Sequence, residues 1–157
     1  MHGFYIGDMI ANSYTHENEL YNLKVKNFAL FTPRTKFSDD TILTFATIDW
    51  LLHTNHTSLQ MLECVRKFYE LYPDISPTIY GEAFATWANN GCKGFRESYG
   101  NGGAMRCSPI AWYANSYEEI DKLIENGITP THNTPSAKFG AKIVCYTIFF
   151  LKTNKNK

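Results

Sequence analysis

The sequence has no excess of charge of either sign. Its 157 residues contain 15 Lys and Arg against 15 Asp and Glu, so the formal net charge is zero. Proteins that bind nucleic acid or anionic membranes through general electrostatic attraction carry a basic excess. The composition therefore argues against both kinds of partner, and an anionic ligand would have to be bound by a local site.

Long apolar runs and paired-cysteine motifs are also missing. The most apolar C-terminal stretch, 143–151, is far shorter than the roughly 20 residues that cross a bilayer. The N-terminus carries no Lys or Arg before Lys24, unlike a signal peptide. The cysteines show neither C-x-x-C nor zinc-finger spacing, which predicts reduced thiols in or near the core. These features together predict a cytoplasmic protein that does not enter a membrane.

Aromatic and apolar residues are plentiful. The chain has 11 Phe, 10 Tyr and 3 Trp, and 44% of its residues are hydrophobic, a composition typical of a folded protein. Its length fits one domain, 1–157, with a sizeable buried core.

Helix signals recur along the chain and strand signals do not. The run 39–53 is apolar on nearly every side except for a stripe of threonines, which predicts a helix enclosed by other helices. Capping boxes at Thr57 and Ser116 predict two more helix starts. Thr134 with Pro135 predicts another helix, which runs to about Lys152.

A fifth helix is predicted from Ser76 and Pro77 through Trp87, with Gly91 at its end. The segment 12–36 reads as an irregular connection of unusual length, and such loops are usually functional or disordered. We therefore predict an all-α fold with at least five helices.

The segment 37–41, FSDDT, is the first candidate site. Asp39 and Asp40 stand together at the head of the central helix, beside the hydroxyl of Ser38. Oxygen ligands of this kind suit a hard cation such as Mg²⁺ or Mn²⁺. An aspartate at this position also commonly caps a helix. The local sequence leaves both interpretations open, although one carboxylate would be enough for a cap.

The segment 98–106, SYGNGGAMR, is the second candidate. Its three glycines allow close approach of the backbone to a ligand such as phosphate, and Tyr99 is suited to stacking on a base or ribose. A glycine-rich turn between two helices is the simpler alternative. His132 and Asn133 form the third candidate, because they precede a predicted helix and could contact a ribose or phosphate.

Taken in order, these segments resemble the ADP-ribosylglycohydrolase family. The resemblance lies in five ordered blocks that extend over nearly the whole chain, at 6–8, 19–31, 37–52, 94–112 and 131–144. It implies an all-α, orthogonal multi-helix bundle, of which this sequence is the N-terminal part. It also implies removal of ADP-ribose from a modified protein side chain or a related small-molecule acceptor, with two Mg²⁺ or Mn²⁺ ions in a cleft.

The resemblance also implies roles for individual residues. Ser38, Asp39 and Asp40 match the family's Thr-Asp-Asp metal motif, and Glu19 matches a glutamate near the scissile bond. Counting forward from Asp8 places Thr15 there instead, so the alignment contains a short insertion. The residues matched to ADP-ribose binding are Ser98, Tyr99, Gly100, Asn101, Gly102, Met105 and His132.

One family motif has no counterpart. The family carries an Asp-x-Asp-Thr near the C-terminus of a longer chain, whereas this sequence has no aspartate after Asp121. The sequence therefore supplies one side of a binuclear site, and we expect a truncated enzyme or one completed by a separate C-terminal chain. The alternatives are a non-catalytic ADP-ribose-binding module, a decayed remnant, or a helical interaction protein whose motifs are only structural.

Overall fold

The computed structural model describes residues 2–14, 29–33, 35–73 and 79–154. Those ranges contain eight helices and no strand, so the all-α prediction is confirmed. The helices are α1 (Gly3–Asn12), α2 (Asp39–His53), α3 (Ser58–Leu71), α4 (Glu82–Asn89), α5 (Gly102–Met105), α6 (Ser108–Tyr113), α7 (Tyr117–Gly127) and α8 (Pro135–Thr153).

Helices α2 and α8 organise the packing. Helix α2 contacts α1, α3, α5 and α6, while α8 lies against α5, α6 and α7. Trp50 of α2 is completely buried, and its indole N–H donates to the carbonyl of Thr57 at 3.0 Å. Gly127 lies against this ring so closely that a Cβ there would come within 2.8 Å of it. The predicted central position of α2 is therefore what the structure shows.

Side-chain caps set the boundaries of several helices, as the sequence predicts. Thr57 and Gln60 form a complete capping box at the start of α3. The hydroxyl of Ser116 accepts a hydrogen bond from the N–H of Glu119, and that of Thr134 accepts one from Ala137. Each of these bonds satisfies one of the unpaired N–H groups at a helix start. The capping box predicted at Ser116 is incomplete, because the Glu119 carboxylate accepts from the N–H of Asn115 instead. All four cysteines are free and buried, as predicted.

The prediction of one helix from Ser76 and Pro77 through Trp87 is wrong over residues 79–81, which are not helical, while its predicted start lies outside the described residues. Helix α4 begins at Glu82, after the non-helical residues 79–81, and residues 74–78 lie outside the described ranges. Tyr80 is buried, stacks on Phe84 at 5.6 Å and donates its hydroxyl to the carbonyl of Tyr72 at 3.0 Å. Tyr80 therefore contacts both the end of α3 and the first turn of α4.

No helix in the described ranges is both long and apolar enough to cross a bilayer.

Candidate functional site

Ser38 caps the N-terminus of α2. Its backbone is extended, and its hydroxyl accepts a hydrogen bond from the N–H of Asp40 at 3.3 Å. Asp39 and Asp40 occupy the first turn without serving as the N-cap. The interpretation of either aspartate as the cap is therefore wrong, because the neighbouring serine has that role. Neither carboxylate serves as the cap, although Oδ2 of Asp40 lies 3.3 Å from the Ser38 hydroxyl.

Asp8 of α1 binds the same helix start with both of its carboxylate oxygens. Oδ1 accepts from the Ser38 hydroxyl at 2.6 Å, and Oδ2 accepts from the Ser38 N–H at 2.7 Å. Oδ2 also accepts from the hydroxyl of Thr41 at 2.6 Å and from its N–H at 3.3 Å. One carboxylate thus satisfies two backbone donors and two hydroxyls at a helix N-terminus, where negative charge is favourable. We call this arrangement the Asp8 clamp.

Negative charge accumulates at this helix start. Burial, followed by the charges of Asp40 and Asp8, raises the pKa of Asp39 to about 7. Burial and the charge of Asp8 also raise the pKa of Asp40. Within the described ranges no cationic side chain forms an ion pair with either carboxylate. An added cation would relieve the repulsion that disfavours their ionised forms.

A cleft of about 310 Å³ lies between Asp39 and the glycine loop, 98–103. The loop contributes Ser98, Gly100, Asn101 and Gly102 to its wall, and Met105 and His132 complete that side. The cleft therefore brings Asp39 together with the glycine loop.

Asp40 lies on the other side of the helix start. It lines a separate cavity of about 400 Å³ together with Asp8, Ser38 and residues of α1. Met105 belongs to the walls of both cavities. The two aspartates therefore line two neighbouring cavities, and the glycine loop lines only the one that Asp39 lines.

Close packing explains two of the loop glycines. A Cβ on Gly102 would come within 2.9 Å of the His132 ring, and one on Gly103 would come within 2.8 Å of Ile128. The loop is also bonded to the segment 130–134. The N–H of Arg96 donates to Pro130, the N–H of Asn133 donates to Arg96, and the hydroxyl of Thr134 donates to Ser98. The glycines thus fit one loop tightly against another, whereas the sequence alone suggested close approach to a ligand.

His132 is a buried, neutral member of this wall. Burial, followed by the charges of Arg106 and Arg96, lowers its pKa to about 3. Its Nδ1 lies 2.8 Å from the hydroxyl of Thr131. The imidazole therefore carries no charge at neutral pH and acts through hydrogen bonding.

Three of the described site residues predicted from the sequence are not part of this cleft wall, namely Ser38, Asp40 and Tyr99. Tyr99 is 82% exposed and is not part of the cleft wall. Glu19 lies outside the described residues. The roles given to these residues stay predictions, as do those given to the other site residues.

Six residues of the cleft wall were not predicted as site residues from the sequence: Leu43, Gly81, Glu82, Ala83, Phe84 and Arg96. Arg96, Phe84 and Glu82 are the charged and aromatic residues among them, and the guanidinium of Arg96 lies 5.9 Å from the centre of the Phe84 ring. Burial lowers the pKa of Arg96. Arg96 falls inside one of the resembling blocks, but no local pattern distinguishes it. Phe84 and Glu82 come from α4, which the sequence presents only as a scaffold helix.

Replacing Gly102 by alanine is expected to lower the free energy of unfolding by about 1–3 kcal/mol, because the new methyl group overpacks against the His132 ring. Urea denaturation followed by circular dichroism measures the change. Gly140→Ala in α8 is the matched control, since a Cβ there meets nothing within 4 Å. We expect the control to gain up to about 1 kcal/mol from helix propensity. Equal stability of the two variants would contradict the packing role of Gly102.

The oxygen donors at the head of α2 fit a hard cation in part. Asp39, Asp40 and Ser38 supply two carboxylates and a hydroxyl. Burial and neighbouring negative charges raise the pKa of both carboxyls, and a bound cation would favour their ionised forms. The oxygens of Asp8 are already engaged in the clamp. Across the described ranges, no three His, Cys, Asp or Glu side chains are grouped so that they could hold a metal ion. The donor set therefore fits one side of a metal site.

Comparison with known proteins yields one match. The family model described as ADP-ribosylglycohydrolase matches residues 1–156, essentially the whole chain. No curated protein and no solved structure matches.

Proposed function

This chain belongs to the ADP-ribosylglycohydrolase family, and we propose that it is a metal-dependent hydrolase that releases ADP-ribose from a modified side chain or a related acceptor. The family supports an ADP-ribosylglycohydrolase-type function on ADP-ribosylated substrates. The observation that carries the proposal is the cleft in which Asp39 faces the glycine loop. In this cleft a carboxylate whose ionised form a cation would stabilise lies close to a glycine-rich loop, and such loops commonly bind phosphate.

We assign the metal to the helix start. Ser38, Asp39 and Asp40 would hold Mg²⁺ or Mn²⁺, which accept hard oxygen ligands. When bound, such an ion polarises the reacting centre and lowers the pKa of water. The Asp8 clamp holds the three ligand residues in one rigid turn, because it fixes the backbone on both sides of Asp39.

The remaining wall would bind the substrate. In this proposal the loop residues Ser98, Gly100, Asn101 and Gly102 surround the diphosphate and ribose, and Met105 packs against the sugar. His132 contributes a neutral hydrogen-bonding group, since its lowered pKa excludes a charged imidazole at neutral pH. Tyr99, which is exposed, would reach the ligand only from the rim of the cleft.

Cleavage of the glycosidic bond develops positive charge at the anomeric carbon. Carboxylates beside that carbon lower the barrier electrostatically, and a carboxylate that moves a proton assists attack by water. We assign the electrostatic role to Asp39, which lines the cleft. The proton-moving role belongs to Glu19 in this proposal.

Release of free ADP-ribose from an ADP-ribosylated peptide tests the proposal. The wild-type protein is expected to release ADP-ribose with Mg²⁺ or Mn²⁺ and to stop when EDTA is added. Asp39→Asn and Asp40→Asn should each lower the rate at least about 100-fold, since each removes a charged ligand of the ion. Asp121→Asn is the matched control, because its carboxylate pairs with Lys142 at 2.9 Å and is not part of the cleft wall.

Binding without hydrolysis is the second candidate function. It is favoured by the small number of carboxylates available to the metal once Asp8 is engaged in the clamp. Calorimetry with ADP-ribose separates the two candidates. Tight binding with no release under any metal condition would replace the hydrolase with a binding module, and absence of both binding and release would reject both.

A further inference from the structure

Arg106 is a fully buried cation that the proposed mechanism does not use. It lies between α5 and α6, and no described carboxylate forms an ion pair with it. Its guanidinium donates to the hydroxyl of Thr47 at 3.2 Å, to the carbonyl of Gly127 at 3.0 Å and to the hydroxyl of Thr131 at 2.6 Å. Burying a charge that is hydrogen-bonded only to neutral acceptors costs folding free energy. The role of these acceptors therefore needs an explanation.

Thr131 connects Arg106 to His132. Its hydroxyl oxygen accepts from Arg106, so its single hydrogen is free to be donated elsewhere. Two acceptors are in reach, the carbonyl of Ile128 at 3.3 Å and Nδ1 of His132 at 2.8 Å. The Ile128 carbonyl already accepts from the N–H groups of Thr131 at 3.1 Å and His132 at 3.0 Å. The hydroxyl hydrogen is therefore donated to Nδ1, because that contact is the shorter of the two and the Ile128 carbonyl already accepts two hydrogen bonds.

The hydrogen bond from Thr131 to Nδ1 determines the tautomer of His132. A neutral imidazole that accepts at Nδ1 carries its hydrogen on Nε2. Nε2 lies at the glycine loop, 2.9 Å from where a Cβ of Gly102 would be, and His132 forms part of the cleft wall. Within the described ranges no protein group hydrogen-bonds to Nε2.

We propose that Arg106 and Thr131 are positioning residues that fix His132 as an Nε2–H donor, so that the cleft offers an uncharged N–H to a phosphate or ribose oxygen of the ligand. The ligand assignment rests on the proposed function, whereas the tautomer depends only on the protein. The lowered pKa of His132 agrees with a permanently neutral donor. A neutral imidazole N–H can donate a hydrogen bond to a ligand oxygen without adding a positive charge to the cleft.

Long-range ¹H–¹⁵N NMR on the full chain with ¹⁵N-labelled histidine tests the tautomer directly at pH 7. His132→Gln identifies the His132 signals. We expect Nε2 to appear as the protonated nitrogen and Nδ1 as the unprotonated one. Predominance of the Nδ1–H form would overturn the proposal, whether or not the protein binds ADP-ribose.

Two substitutions test the part played by Thr131. Thr131→Val has nearly the same shape without the hydroxyl, and we expect it to lose the tautomer preference and to weaken ADP-ribose binding about tenfold. Thr131→Ser keeps the hydroxyl and should retain both properties. A Thr131→Val protein that keeps the Nε2–H form would overturn the positioning role.

Folding and ligand binding are controlled separately. Circular dichroism shows whether Thr131→Val folds. If it does not fold, Thr131→Ser and the wild-type tautomer still decide, since an Nδ1–H form in either one contradicts the proposal. Failure of the wild-type protein to bind ADP-ribose would reject the proposed function and the ligand role of Nε2–H, while the NMR result would still decide the tautomer.

Discussion

Asp8→Ala is expected to lower the free energy of unfolding by about 3 kcal/mol. The substitution leaves the N–H groups and hydroxyls of Ser38 and Thr41 without their acceptor. Hydrogen bonds to charged groups contribute about 1.5–3 kcal/mol each when buried, and partial exposure of this site reduces their sum. A negative charge at a helix N-terminus adds about 0.3–1 kcal/mol. Urea denaturation followed by circular dichroism measures the loss.

Asp8→Asn serves as the graded variant. An asparagine keeps one oxygen acceptor but replaces the other with a donor that faces the donors of Ser38 and Thr41, so we expect roughly half the loss or more. Asp121→Asn removes a carboxylate that pairs with Lys142 at the surface and should change stability by less than about 1 kcal/mol. If Asp8→Ala unfolds at the same urea concentration as the wild type, the clamp does not stabilise the head of α2.

The loss of the clamp is also expected to weaken metal binding in the proposed site. Ser38 and Thr41 flank Asp39 and Asp40, so their release from Asp8 frees the turn that presents both carboxylates. Ordering that turn again would reduce the net free energy of binding. Calorimetric titration of Asp8→Asn with Mn²⁺ should give a Kd at least about fivefold higher than that of the wild type.

The helices with local boundary signals were predictable from the sequence. The capping box at Thr57, the serine cap at Ser116 and the Thr134–Pro135 start satisfy backbone N–H groups within three residues of the cap. Such contacts are local in the chain, so the sequence pattern contains them. The apolar surround of α2 similarly predicted its central position.

Elements set by distant contacts were not predictable in the same way. Tyr80 precedes α4 and packs against Tyr69 of α3 as well as against Phe84 of α4. Helix α1 was not predicted at all. Its Asp8 meets Ser38 and Thr41 across about 30 positions of sequence. No local pattern reports a contact of that separation.

The same difference between sequence signals and distant contacts applies to the candidate site. The family resemblance identified the acidic pair and the glycine loop, and the structure places Asp39 and that loop around one cleft. The tight fit of Gly102 against His132 and the presence of Arg96 and Phe84 in the wall depend on packing between separate elements. A single sequence contains no signal for these relations.

Asp39→Asn is expected to make the metal-free protein more stable at pH 8 while lowering the rate of hydrolysis at least about 100-fold. The pKa of Asp39 is raised from 3.8 to about 7 in the folded protein. Between these values the folded state binds more protons than the unfolded state, so stability falls as the pH rises from about 4 to about 7. Above pH 7 the folded protein contains a carboxylate that burial and neighbouring charges disfavour. Asparagine removes that charge at every pH.

The expected gain is about 2–4 kcal/mol at pH 8 and close to zero at pH 4, because one pKa unit corresponds to about 1.36 kcal/mol. Urea denaturation at both pH values, with EDTA present, measures it. Asp121→Asn is again the matched control, since pairing with Lys142 and Tyr146 lowers the pKa of Asp121 and reverses the sign of its effect. A saturating divalent cation should stabilise the wild type and not Asp39→Asn, which would reverse their order. If Asp39→Asn is no more stable than the wild type at pH 8 in EDTA, the ionised Asp39 does not destabilise the folded protein. The electrostatic argument for a cation at the head of α2 then fails.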